Sequence, residues 1–154
     1  MKTKAKNKKY EILSEMVKTE KYMENLYKLF AGRFKEDGEF WEKIRSEEAQ
    51  HADLLSEGFL YLAFDMLPDT ALIDKLEALK LTNLSIEQIT KAYKENMPPK
   101  NEAYNYAIQM EKSLSEAFFQ ELLKMKSAPD VVAAWQRLGE ESVDHSKRIA
   151  SLLS

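Results

Sequence analysis

In the stretch Glu47-Glu48-Ala49-Gln50-His51, a carboxylate and an imidazole stand where a core-facing helix should carry Leu or Ile. Trp41 and Ile44 mark one helical face before this stretch, and Leu55, Phe59 and Leu62 continue it afterwards. Glu48 and His51 fall on the same stripe, because residues three apart are neighbours on a helix surface. Burying a carboxylate and an imidazole without partners costs on the order of several kcal/mol, so any fold that accepts this helix must compensate both. A Glu-x-x-His pair projecting into a helical bundle is one arrangement that holds metal. The rest of the chain decides whether further ligands are available.

Few runs alternate with period two, and only four Gly and four Pro occur in 154 residues, so an all-α single domain is expected. The absence of cysteine removes disulfides, zinc ribbons, thiolate catalysis and iron–sulfur clusters. A net charge of −3 gives no argument for a nucleic-acid partner. No long apolar run or signal-peptide core is present, so no membrane association and a cytoplasmic location are expected.

Residues 1–9, polar and basic, read as a disordered tail, and residues 10–154 as one domain. Apolar positions then recur at helical spacing from Tyr10 to about Lys35 (Leu13, Met16/Val17, Met23, Leu26/Tyr27, Phe30, Phe34), with Glu20 set into the stripe. Asp37-Gly38 reads as a stop with a left-handed glycine. A second helix spans about 39–66, roughly 42 Å at 1.5 Å per residue, and so short a link implies an antiparallel pair. Residues 67–100 read as a crossover holding two short helices, about Thr70–Lys80 and Ser85–Asn96, the latter starting at the capping-box pattern Ser85-Ile86-Glu87-Gln88. A third long helix is expected over about 101–126, interrupted on its apolar face by Glu111. After the connector Ser127-Ala128-Pro129-Asp130, a fourth is expected over about 131–153, with His145 on its inner face.

The chain also repeats itself. Setting His145 on His51 places Trp135 on Trp41, Leu138 on Ile44 and Glu141 on Glu47, and these are the only two Trp and two His in the sequence. Glu20-Lys21 matches Glu111-Lys112, with apolar partners agreeing at −3 (Val17, Ile108), +3 (Met23, Leu114) and +7 (Tyr27, Phe118). Duplication of a helical hairpin accounts for this agreement. Two such hairpins, joined by a long crossover, predict a four-helix bundle in which Glu20, Glu48, His51, Glu111 and His145 converge.

With Glu20 followed by Leu26-Tyr27, Glu48-Ala49-Gln50-His51, and Glu111 followed by Phe118-Phe119, the chain resembles the ferritin-like superfamily over residues 10–153. Within it, the likeness is to the rubrerythrin-type diiron bundle. The resemblance implies two iron ions held by Glu20, Glu48, His51, Glu111 and His145. It also implies an oxidase- or peroxidase-type reaction with O2 or peroxide, an external electron-donor protein, and a homodimer. Three departures accompany it. Ser142 stands where the family's fourth helix has Glu, Leu114 replaces a frequent further Glu, and the cysteine-bearing rubredoxin module is absent. Three carboxylates leave a charge of about +1 on two ferrous ions, unless Glu141, one position before Ser142, swings in as a ligand or hydroxide binds. The alternative reading, favoured by Ser142, is a metal-degenerate bundle that serves as an interaction or regulatory module.

Overall fold

The apolar stripe of the first third of the chain builds one long helix that organises everything up to residue 96. The structure, a computed structural model, describes residues 2–56, 69–114 and 129–153; every regular element among them is helical, and no strand occurs. The helices are α1 (Lys2–Arg33), α2 (Gly38–Ser56), α3 (Asp69–Glu95), α4 (Lys100–Leu114) and α5 (Pro129–Ser151). They fall into two units, residues 1–96 carrying α1 to α3 and residues 97–154 carrying α4 and α5. None of the described helices is long and apolar enough to cross a membrane.

In the first unit, α1 buries Leu13, Met16, Glu20, Met23, Tyr27 and Phe30, alternating steps of three and four residues. That spacing keeps one face turned to a partner helix. On α2 the buried series is Trp41, Ile44, Glu48 and His51, the same rhythm. Tyr27 meets Trp41 at 5.0 Å between ring centroids, Arg45 reaches Glu24 at 3.3 Å, and His51 lies 3.6 Å from Glu20. Numbers fall along α1 as they rise along α2, so the pair is antiparallel, as expected. Phe30 adds an edge-on contact with Trp41 at 5.0 Å, and aromatic pairs of this kind contribute about 0.5–1.5 kcal/mol beyond their burial.

The link between α1 and α2 lies where the sequence put it but is built differently. A short 3-10 turn spans Lys35–Asp37, and Gly38 is right-handed (φ −57°, ψ −44°), opening α2 rather than closing α1. A Cβ there would sit 3.4 Å from the Ala31 carbonyl oxygen, at the near edge of ordinary van der Waals contact.

Two further expectations are corrected. Residues 2–9, read as a disordered tail, are the first turns of α1; Lys and Ala are good helix formers and need no buried face to extend a helix already nucleated. The crossover is one 27-residue helix, α3, and Ser85 lies in its interior instead of capping a second helix. Tertiary contact decides this. Leu76, Leu79, Asn83, Ile86, Thr90 and Tyr93 form a single buried stripe through the supposed break. Thr82 and Thr90 return their hydroxyls to the carbonyls of Ala78 (3.0 Å) and Ile86 (2.7 Å), as Thr does inside helices. α3 runs parallel to α1, since Asn83 meets Thr19, Tyr93 meets Phe30 (6.3 Å), and Arg33 donates to the Lys94 carbonyl (2.8 Å).

Met97-Pro98-Pro99 follows the end of α3 and opens the second unit, because the residue before proline is pushed out of the helical region. In the second unit the Pro99 carbonyl accepts from the amides of Glu102 and Ala103 (3.1 Å each) and starts α4. α4 buries Ala103, Tyr104, Ala107, Ile108 and Glu111; α5, with Pro129 at its first position, buries Leu138, Ser142, His145, Ser146 and Ile149. The expected continuations of the second helix to residue 66 and of the third to residue 126 lie outside the described residues. So do the side chains of Leu114 and Trp135.

Asn83 locks α3 against α1. Its amide donates to the Glu15 carbonyl (3.0 Å) and carboxylate (2.8 Å), and its oxygen accepts from the buried Thr19 hydroxyl. Asn83→Ala is expected to destabilise the chain by about 1–3 kcal/mol in urea unfolding, against about 0.5 kcal/mol or less for exposed Gln88→Ala. Equal effects of the two substitutions would contradict this.

Candidate metal centre

Three ionisable side chains occupy successive core positions between α1 and α2. Glu20 is 7% exposed, Glu48 2% and His51 3%. Glu20 stands in the α1 stripe between Met16 and Met23; Glu48 and His51 follow Trp41 and Ile44 on α2, one turn apart. The antiparallel register, held by the Tyr27–Trp41 contact two turns away, brings the three together. His51 Nδ1 lies 3.6 Å from Glu20 Oε2 and 3.6 Å from Glu48 Oε2, ion-pair separations longer than direct hydrogen bonds. One candidate ligand atom from each residue lies within 4.8 Å of the other two.

Burial by itself drives an imidazolium to release its proton. Here the two carboxylates outweigh it, and the His51 pKa rises from 6.5 to about 11. Without metal, then, one imidazolium faces two carboxylates. A divalent ion replacing that proton leaves an imidazole and two carboxylates about a charge of +2, which balances. The donor set fits a cation of this kind: hard carboxylate oxygens with one imidazole suit iron, manganese or zinc. An ion with bonds of about 2.1 Å holds neighbouring ligand atoms about 3 Å apart and opposite ones about 4.2 Å apart, so the observed spacings need only small adjustment.

In the second unit, α4 presents Glu111 (1% exposed) and α5 presents His145 (0%). His145 Nδ1 lies 3.3 Å from Glu111 Oε1. Ser142, 3% exposed, is one turn before His145 on the same buried face, at the position Glu48 holds relative to His51. The structure does not bring Glu141, expected as a sixth ligand, into this pair. Its carboxylate is half-exposed and accepts from Arg137 Nε at 2.9 Å, one turn earlier on α5. The 100° step between adjacent helical residues turns it towards the rim.

Two supporting contacts escaped the sequence reading. Arg45, one turn before Glu48, bridges Glu42 (2.8 Å) on its own helix and Glu24 (3.3 Å) on α1, holding the register that aligns Glu20 with Glu48. Asn83 occupies a core position of a stripe legible only when residues 69–95 are read as one helix. No protein-family model, curated protein or solved structure matches this chain.

A pH dependence follows from His51. Because its folded pKa (about 11) exceeds the unfolded value of 6.5, its stabilising contribution in the metal-free chain is complete below about pH 6.5. The contribution diminishes across the interval and is lost as pH rises through about 11. Nitrogen-15 NMR of the metal-free protein should show His51 still as imidazolium at pH 9, with bound divalent metal displacing that proton; titration near 6.5 would contradict the arrangement.

Proposed function

We propose that the chain is a non-haem iron protein of the rubrerythrin type, in a ferritin-like bundle, holding two irons and reacting with O2 or peroxide. One observation supports it above all: Glu20, Glu48 and His51 are buried together, and the second repeat buries its own Glu and His, Glu111 and His145. Helical cores place charged groups at such positions rarely and only with compensation. Iron at these residues supplies one-electron redox chemistry towards O2 or peroxide, with electrons from a separate donor protein. The chain's own residues prepare the place. Glu20 and Glu48 neutralise the cation, and His51 yields its proton on loading and becomes a neutral ligand. Met16 and Met23, on either side of Glu20, keep bulk water away. A homodimer is part of this proposal.

Ser142 favours a second reading, in which the bundle has lost its metal and acts as an interaction or regulatory module. Anaerobic loading with ferrous iron, followed by metal analysis and a peroxide-decay assay, separates the two. The first reading expects bound iron, peroxide consumption by the loaded protein, and at least about tenfold weaker iron binding in Glu48→Gln and His51→Ala, a change equivalent to about 1.4 kcal/mol. Iron content no higher than in those variants would leave the interaction module as the better account.

A further inference from the structure

One face of α3 is packed on α1 through Asn83 and Tyr93. On the opposite face Leu81 is 67% exposed and Leu84 50%, the two most exposed large apolar side chains among the described residues. Steps of four, three and four residues link Glu77, Leu81, Leu84 and Gln88, all exposed, so the four form one stripe with the spacing of a coiled-coil seam. Exposed Lys80 and half-exposed Glu87 stand two turns apart along one flank of that stripe. Ala78 and Ser85 occupy the other flank, small enough to let a second helix approach. The Glu87 carboxylate accepts from the Tyr22 hydroxyl and lies 3.5 Å from Lys91, which leaves lone pairs for a further donor.

The stripe is complementary to itself when turned end for end. With Leu81 opposite Leu84 of a second copy, an antiparallel pair sets Lys80 opposite the second copy's Glu87 and Gln88 opposite its Glu77. A two-fold axis makes each of these contacts twice. A parallel pair at the same leucines sets Lys80 beside Ser85 and matches no charges. We propose that this face of α3 is where two copies of the chain dock, antiparallel, with Leu81 and Leu84 as the apolar centre and Lys80 and Glu87 fixing the direction. Charges flanking such a seam set partner choice and orientation. Two leucines per copy make a small interface, so the dimer is one that dissociates on dilution. The proposal gives the homodimer suggested above its surface, rests on that part of the reading alone, and involves none of the metal-site residues.

Sedimentation equilibrium of the full, metal-free chain over a range of concentrations tests it. The expected result is a monomer–dimer equilibrium, lost in Leu84→Glu while the helical circular dichroism stays unchanged. Lys80→Glu and Glu87→Lys, each alone, bring like charges together and should weaken self-association at least about tenfold. Mixing the two single variants should restore a dimer, because every Lys80–Glu87 contact then joins opposite charges again. That rescue belongs to the antiparallel register alone, and it decides the matter even if Leu84→Glu fails to fold. A dimer untouched by these substitutions, or a mixture that does not reassociate, would overturn this surface and leave a homodimer built elsewhere. A monomer at every concentration would overturn the surface and the homodimer together, with the metal reading still to be judged by iron content.

Discussion

Everything in the first unit depends on the burial of Glu20, Glu48 and His51 in the seam between α1 and α2. Two carboxylates and an imidazole at 7% exposure or less would be expelled from an ordinary helical interface. They are accommodated as one ion-pair set, with His51 Nδ1 3.6 Å from a carboxylate oxygen of Glu20 and 3.6 Å from one of Glu48. The seam is consequently built to hold a register. Tyr27 and Phe30 each pack against Trp41 at 5.0 Å on one side, and Arg45 ties Glu24 to Glu42. A slip of one residue along either helix would turn Glu20 or the Glu48–His51 pair away from the others.

α3 packs along α1. Its parallel run along α1 is fixed at one place by Asn83, which reads both the backbone and side chain of Glu15, and at another by Tyr93 against Phe30. Thr19, which meets Asn83, is the immediate neighbour of Glu20 on α1, so the polar lock and the ionisable cluster share one helical turn. Hydrogen bonds of this kind contribute only about 1 kcal/mol each, but an Asn that is satisfied in a single arrangement selects one register over its neighbours.

Much of this was legible because the sequence obeys one rhythm. Steps of three and four through Leu13, Met16, Glu20, Met23, Tyr27 and Phe30, and through Trp41, Ile44, Glu48 and His51, placed the ionisable groups on core faces. The same rhythm placed Ser142 and His145 on the buried face of α5, with Glu141 a step aside. Where local signals competed with tertiary contact, the local ones misled. Ser85 with Glu87 and Gln88 has the pattern of a helix start, but Asn83 and Ile86 on either side of it are committed to the core with α1, and the helix continues through. Asp37-Gly38 marked the right break, yet Gly38 is right-handed and opens α2 rather than making a left-handed turn. The basic segment at residues 2–9 shows the converse: without an apolar face it gave no helical periodicity, although its Lys and Ala extend α1 readily.

On the function proposed above, the buried carboxylates and imidazole of the first unit are metal ligands and not an internal salt bridge. Anomalous diffraction from crystals grown with ferrous iron under anaerobic conditions tests it most directly. The expected result is a metal peak about 2.0–2.2 Å from carboxylate oxygens of Glu20 and Glu48 and from Nδ1 of His51. Crystals showing no such peak, with His51 still 3.6 Å from both carboxylates, would contradict it and leave the cluster a salt bridge that fixes the register of two helices.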